Sequence, residues 1–307
     1  MEMTITRAGM LTTVQDLGRA GFRAAGVPSG GAMDALALRV ANLLVGNQEN
    51  AAALEVTLVG PELIFSKDSV IAVTGAEFPG VPAWQPLKVK AGEPVKLGAS
   101  VKGCRGYLAV AGGLEIAAVL GGRGTDLRGG FGGFEGRALR DGDVLRVNPA
   151  ERSVEAHWRI DERILPEYSA APIVRVLRGA HAEEFGGSWL GVEFKVTPQS
   201  DRMGLRLAGP ALVRTDGAEL PSSAVTPGTV QVPPDGRPIV LMADAQTIGG
   251  YPQLAHVISV DLPLMAQLRP GDTVKFQAVS LDEAHQLVLA RDYALALLRE
   301  GLAQKIH

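Results

Sequence analysis

A single cysteine, Cys104, stands in 307 residues. That excludes a disulfide framework and any cysteine-rich zinc or iron–sulfur site built within the chain. Histidine is also scarce, five residues with no close pair, so no metal site is expected. There is no basic excess: 30 Lys and Arg against 33 Asp and Glu give a net charge of −3. Nothing is left over to neutralise a phosphate backbone, and nucleic acid is not an expected partner. Long apolar runs are missing. Tyr107 to Leu120, the longest, is broken by Glu115 and two glycines and is too short to span a bilayer. Met1-Glu2-Met3-Thr4 lacks a basic stretch leading into an apolar core, so the expected location is the cytoplasm, with no membrane partner.

Glycine is abundant, at 38 residues, and proline adds 19. Apolar residues make up 46% and charged residues 21%, which is the composition of a folded chain and excludes intrinsic disorder. A chain that turns so often suits short strands and ordered loops better than a helical bundle. Apolar runs such as Val70–Val73, Tyr107–Val110, Ile173–Leu177, Val230–Val232 and Ile239–Met242 are bounded by Gly, Pro, Asp or Asn and read as strands. Two segments read as helices. Asp34 to Val45 carries apolar residues at helical spacing and stops at Gly46-Asn47. Leu281 to Gln304 begins with a capping pattern formed by Ser280 and Glu283.

The chain also echoes itself. Ser29–Asp34 matches Gln199–Gly204, Val70–Glu77 matches Ile239–Gln246, and Ala91–Leu97 matches Pro270–Phe276, in one order and at offsets of about 170–180 residues. Asp141–Val147 is a third turn-strand of the last kind, so the halves can exchange strands. The expectation is a mainly β protein of two domains from an internal duplication, 1–160 and 170–307. The polar stretch 150–172 is the linker candidate, although Trp158 and Tyr168 within it call for packing.

Five motifs carry possible chemistry. Gln15-Asp16-Leu17-Gly18-Arg19 is either a salt-bridged turn or an amide, a carboxylate and a guanidinium offered to one ligand. Ser29-Gly30-Gly31-Ala32-Met33-Asp34 enters the first helix, where it serves as an N-cap, an anion site, or both. The glycine-rich run from Gly121 to Arg137 is neither a P-loop nor a dinucleotide fingerprint, and it reads as a substrate-covering or partner-binding loop or as a plain surface loop. In Ser200-Asp201-Arg202-Met203-Gly204, Arg202 has a fork suited to a carboxylate or phosphate, with Asp201 able to fix it, or the two form an internal Asp–Arg pair at a strand end. Asp244 to Pro252 follows a strand directly. There Gln246, Thr247 and Tyr251 add donors around Gly249 and Gly250, whose backbone a ligand can approach closely. His181 and His256 read as structural histidines.

Thr13–Arg19, Ser29–Asp34, Tyr107–Gly113, Ser200–Gly204 and Gln246–Pro252 resemble in order and spacing the biotin-dependent carboxyltransferase family, also called allophanate hydrolase subunit 2 or KipA-like. The resemblance spans residues 3 to 280; Ile248 departs from it where a second Thr is common. It implies two cyclophilin-like β-barrel domains with a few helices. It also implies membership of an ATP-dependent 5-oxoprolinase complex, which opens 5-oxoproline to L-glutamate with the help of two further subunits, one KipI-like and one of the lactam-utilisation type. ATP would act through the complex, and the isolated chain would be inactive. The alternatives are a carboxyltransferase-type subunit of a urea carboxylase or allophanate pathway, the one case in which biotin enters, and a non-enzymatic antagonist of a KipI-like kinase inhibitor. On this reading Asp16, Arg19, Asp201, Arg202 and Tyr251 are the catalytic candidates. Gln15, Ser29, Gly30, Asp34, Ser200, Gln246, Thr247, Gly249 and Gly250 bind a small-molecule substrate.

Overall fold

The computed structural model describes all residues except 157, 162, 163, 187, 188, 217, 218, 304 and 307. The chain packs as two compact units, each assembled from separated stretches: Met1–Ala20, Gly30–Pro166 and Ala294–His307 in the first, Gly21–Ser29 and Glu167–Tyr293 in the second.

The first unit has two antiparallel sheets. One pairs β1 (Glu2–Arg7), β4 (Glu62–Phe65), β7 (Val95–Lys96) and β9 (Val144–Arg146) in the order β7-β4-β1-β9. The other pairs β2 (Leu11–Gln15), β3 (Ala53–Thr57), β5 (Ser69–Glu77), β6 (Pro86–Val89) and β8 (Lys102–Val110) in the order β2-β3-β8-β5-β6. Alternate residues of both sheets meet in one core: Met3, Ile5, Leu63 and Phe65 face Val14, Leu54, Val56, Ile71, Val73 and Leu108. The other face of the five-stranded sheet is apolar too. Ala53, Ala72, Tyr107 and Ala109 point there and are covered by helix α1 (Ala35–Leu44). Burial on both faces explains why β5 and β8 read as continuous apolar runs rather than alternating ones.

The second unit is a closed barrel. β10 (Ile173–Arg178), β17 (Gln253–Val257), β14 (Thr229–Gln231), β15 (Ile239–Leu241), β12 (Gly204–Ala208), β11 (Glu193–Val196) and β18 (Thr273–Ala278) follow one another around it, and β18 returns to pair with β10. Phe194 and Phe276 lie 5.9 Å apart inside it, with Trp189 edge-on to Phe276 at 6.5 Å. A small ribbon, β13 (Ser223–Ala224) with β16 (Ile248–Gly249), stands beside the barrel. Helix α2 (Leu262–Ala266) precedes the last strand.

The mainly β class with few helices is what the sequence predicted. The contiguous split at 1–160 and 170–307 needs correcting, because a segment is exchanged in each direction. Residues 21–29 join the second unit, where the Arg23 guanidinium donates to the Val225 carbonyl. Helix α3 (Leu281–Ala303) starts in the second unit, but from Ala294 onward it belongs to the first, where Leu295 and Leu302 pack with α1 and Arg299 pairs with Glu49. Its predicted last residue, Gln304, lies outside the described residues. Ser280 caps the start, accepting from the Glu283 N–H at 3.1 Å.

Two turns carry the internal echo at atomic detail. Asp143 and Asp272 each accept the N–H of the arginine three residues before, Arg140 and Arg269, at 2.7 and 2.8 Å, ahead of β9 and β18. Asp16 and Asp201 each accept the N–H two residues on, at 2.8 Å. The Gln15–Arg19 and Ser200–Gly204 turns thus share one local hydrogen-bond pattern.

Candidate functional site

In the first unit, β2 ends in a buried polar cluster. Gln15, Asp16 and Arg19 are all nearly inaccessible, and the glycine-rich run lies over them. Asp16 Oδ1 accepts from Gly18 N–H at 2.8 Å and Gly124 N–H at 3.1 Å, and Oδ2 accepts from Arg123 N–H at 2.6 Å. Arg19 Nε donates to the Val119 carbonyl at 3.1 Å, Nη2 donates to the Gly124 carbonyl, and the guanidinium lies 4.7 Å from the centre of the Phe131 ring. Gln15 Nε2 donates to Thr13 Oγ1 and to the Thr125 carbonyl, both at 3.1 Å. These three expected site residues are thus brought together. Two of the assumed roles change. The Asp16 carboxylate is filled by backbone N–H groups, so it neither orients Arg19 nor is placed as a base. The Arg19 fork is mostly spent on carbonyls and is no bidentate clamp.

The glycine-rich run covers this cluster, and most of its backbone is spent on its own unit. The N–H groups of Gly122, Arg123, Gly124, Thr125, Asp126, Arg128, Gly129, Gly130, Phe131, Gly133 and Gly136 all have acceptors inside the unit. A phosphate cradle needs such amides free, and these eleven are engaged. The glycines are needed for packing: a Cβ at Gly133, where φ is +54°, would fall 1.8 Å from Thr125 Oγ1.

Asp34 is a helix cap, fully buried, accepting from the Ala37 N–H at 2.9 Å. Its own N–H donates to Tyr107 Oη at 2.7 Å. That hydroxyl in turn donates to Glu55 Oε2 at 2.8 Å, which also takes the Met33 N–H at 2.9 Å. Burial raises the Tyr107 phenol far above its usual range, and the Glu55 carboxylate adds to the effect. Asp34 therefore belongs to the scaffold, with no surface for substrate. Gly30 turns the chain with φ +60°, and Ala32 N–H returns to the Asp16 carbonyl at 2.8 Å, so this network fixes the loop beside Asp16. Glu55 and Tyr107 were not picked out in the sequence because their spacing carries no signal.

In the second unit Arg202 is held by Asp244, not Asp201. Nε reaches Asp244 Oδ2 at 2.7 Å and Nη2 reaches Oδ1 at 2.9 Å, with both side chains nearly buried. The fork is thus occupied and does not clamp substrate. Asp201 is exposed and caps its own turn through Met203 and Gly204 N–H, while Ser200 Oγ accepts from Arg206 N–H at 3.0 Å. Both are turn residues. The sequence placed Asp244 at the head of the fifth motif, but nothing local marks it as the partner of Arg202, 42 residues away.

The Asp244–Pro252 loop is the most open of the five motifs. Gln246 Nε2 reaches Gln231 Oε1 at 3.5 Å, and Gln231 Nε2 donates to the Tyr251 carbonyl at 3.3 Å. Thr247 is buried, and its carbonyl accepts from Val225 N–H at 3.1 Å. Because Arg23 donates to the Val225 carbonyl and also reaches Ser29 Oγ at 3.4 Å, Ser29 is drawn toward the same loop. Neither Gly249 nor Gly250 has a positive φ. A Cβ on Gly249 would lie 2.7 Å from Gln231 Nε2, whereas on Gly250 it would meet nothing closer than 3.6 Å. Tyr251 is 46% exposed. Its phenol, its N–H and the N–H of Gly250 donate to no group among the described residues. Gly250, Tyr251 and Pro252 line a 590 Å³ cleft together with the apolar Leu212, Leu220 and Val232 and the acidic Asp216, Glu219 and Asp235.

His181 Nδ1 accepts from the Gln253 N–H at 3.1 Å, and His256 faces Thr229 at 3.3 Å, with burial lowering its pKa. Both are structural, as read from the sequence. Among the described residues no three His, Cys, Asp or Glu side chains gather to hold a metal ion, and no helix is long and apolar enough to cross a membrane.

Comparison with known proteins places this geometry. The family model for the carboxyltransferase domain, subdomain A and B, matches residues 25–278. The chain is 44% identical to the C subunit of 5-oxoprolinase from Escherichia coli, over 92% of this chain and 93% of that protein. It is 40% identical to the protein of the same name from Haemophilus influenzae, over 95% and 96%. Among solved structures, the urea carboxylase of Kluyveromyces lactis superposes with a TM-score of 0.90 at 30% identity, over 100% of this chain but only 30% of that much longer one. The K. lactis urea amidolyase superposes at 0.89 and 29% identity, and this chain spans 21% of it. The chain belongs to the carboxyltransferase domain family, subdomains A and B.

Proposed function

We propose that this chain is the C subunit of an ATP-dependent 5-oxoprolinase, a cyclic-amide hydrolase that opens 5-oxoproline to L-glutamate. It would act with a KipI-like partner protein and a lactam-utilisation-type partner protein. The observation that carries the reading is the end-to-end likeness to two bacterial proteins of that name, whereas the urea enzymes contain a matching stretch within a much longer chain.

Opening a lactam places negative charge on the carbonyl oxygen, and preorganised donors stabilise that charge most when they need no reorganisation. The free N–H groups of Gly250 and Tyr251 and the Tyr251 phenol are the donors this chain offers. Gln246 and Thr247 hold the loop from behind, through Gln231 and Val225. Arg202 and Asp244 anchor its start.

The fold likeness to urea carboxylase supports one second reading, a carboxyltransferase-type component that takes biotin from another chain. Metabolite analysis of cells lacking this chain separates the two. The account expects 5-oxoproline to accumulate and to fall again when the full chain is restored. Unchanged 5-oxoproline together with a defect in urea use would favour the second reading.

A further inference from the structure

The turns that follow α1, β8 and β9 line a cleft of 850 Å³ within the first unit, and Arg123 of the glycine-rich run lines it with them. Arg123 is half-buried and tied at two points. Its N–H donates to Asp16 Oδ2 at 2.6 Å, and its Nε donates to the Ile116 carbonyl at 3.1 Å. Its two terminal nitrogens, Nη1 and Nη2, donate to no group and form no ion pair among the described residues. Four other half-buried arginines each meet a carboxylate: Arg39 meets Glu49, Arg137 meets Asp143, Arg175 meets Asp261 and Arg214 meets Glu184. The other charges lining the cleft do not supply one to Arg123. Glu49 is taken by Arg39 and Arg299. Glu151 and Arg152 are exposed, and their charges cancel. Three lining amides are also unspent among the described residues. Gln48 and Asn50 make no side-chain hydrogen bond, and Asn148 makes only a 3.4 Å contact from Nδ2 to the Gly113 carbonyl.

A guanidinium held at Nε keeps its outer edge in one orientation, so little freedom is lost when that edge meets a planar or tetrahedral oxyanion. The volume falls in the range of small-molecule sites, about 300–1,000 Å³, and exceeds what a bare inorganic ion fills. We infer that this cleft binds a small organic oxyanion. Its phosphate or carboxylate oxygens accept from Arg123, and hydroxyl or amide groups on its body meet Gln48, Asn50 and Asn148, which both donate and accept. The Arg123 N–H that holds Asp16 is a main-chain group, so a ligand on this side chain also steadies the glycine-rich run over β2. The inference does not rest on the proposed function, whose donors belong to the Gly250–Tyr251 loop of the second unit. Either can fail without the other.

The test is calorimetry and thermal melting of the full chain at matched ionic strength. The probes are glucose 6-phosphate and glycerol 3-phosphate, citrate and malate, the uncharged glucose and glycerol, and sulfate. At least one organic oxyanion should bind saturably and raise Tm by several degrees, while glucose and glycerol do neither. Binding by the phosphates identifies a phosphorylated ligand; binding by citrate or malate identifies a carboxylate. Arg123→Lys keeps the charge, loses the fork and leaves the main-chain link to Asp16 in place, so it should weaken binding by about tenfold or more. Asn148→Asp, which adds a negative charge to the lining, should do the same and still decides if Arg123→Lys fails to fold. Arg206→Gln removes an exposed arginine of the second unit and should change nothing. No saturable binding by any organic probe, binding of sulfate alone, an equal loss in Arg206→Gln, or binding unchanged in a folded Asn148→Asp would overturn the inference.

Discussion

Neighbouring glycines in one loop answer to different constraints. At Gly249 the constraint is internal: a methyl would push into the Gln231 amide 2.7 Å away and break the link to Tyr251. Gly249→Ala should lower stability by about 1–2 kcal/mol, the cost of one buried hydrogen-bond link. At Gly250 a methyl meets only ordinary contacts, so Gly250→Ala should change stability by less than about 0.5 kcal/mol. Its effect should fall instead on turnover of the assembled complex, because the methyl crowds the free N–H groups. Urea titrations beside turnover measurements separate the two; full turnover in a stable Gly250→Ala complex would remove this loop from the site. Arg202 and Asp244 lead to the opposite expectation. Asp244→Ala strands a buried guanidinium and should cost about 3–5 kcal/mol. Arg202→Lys should lose about 2 kcal/mol through the missing second hydrogen bond, while activity per folded molecule is retained. A stable Arg202→Lys with lost activity would return Arg202 to substrate.

The sequence made elements legible where the signal was local. Helix α1 ran where its period and its Asp34 cap placed it, and the Asp143 and Asp272 turns were visible as Gly-Asp pairs before strands. Partners distant in sequence left no trace: Asp244 for Arg202, Glu55 for Tyr107, and Glu49 for Arg299, 250 residues away. For the same reason the last turns of α3 were assigned to the wrong unit. Glu49 now explains where they go. Its carboxylate is raised by burial, but Arg299 and Arg39 outweigh that and leave its pKa below 4.5. A depressed carboxylate contributes stability above its unfolded pKa and loses it as pH falls through the folded value. Glu49→Gln should therefore cost about 1 kcal/mol at neutral pH, as for a partly exposed ion-pair network. The gap to wild type should close as pH falls below 4.5. Melting curves of both proteins from neutral to acid pH test this; a gap independent of pH would mean the pairs contribute nothing.

At the scale of the whole molecule, the chain presents a polar loop on its barrel unit and a covered cation in its two-sheet unit. In the glycine-rich loop most amides already have acceptors within the unit. The proposal that the chain is one part of a larger enzyme rests on its likeness to two 5-oxoprolinase C subunits, and reconstitution tests it most directly. The KipI-like and lactam-utilisation-type proteins are mixed with ATP and 5-oxoproline, with and without this chain, and glutamate is measured. The account predicts glutamate only when all three proteins are present, and none from this chain alone with ATP. Equal glutamate formation without this chain, or turnover by the isolated chain, would contradict it.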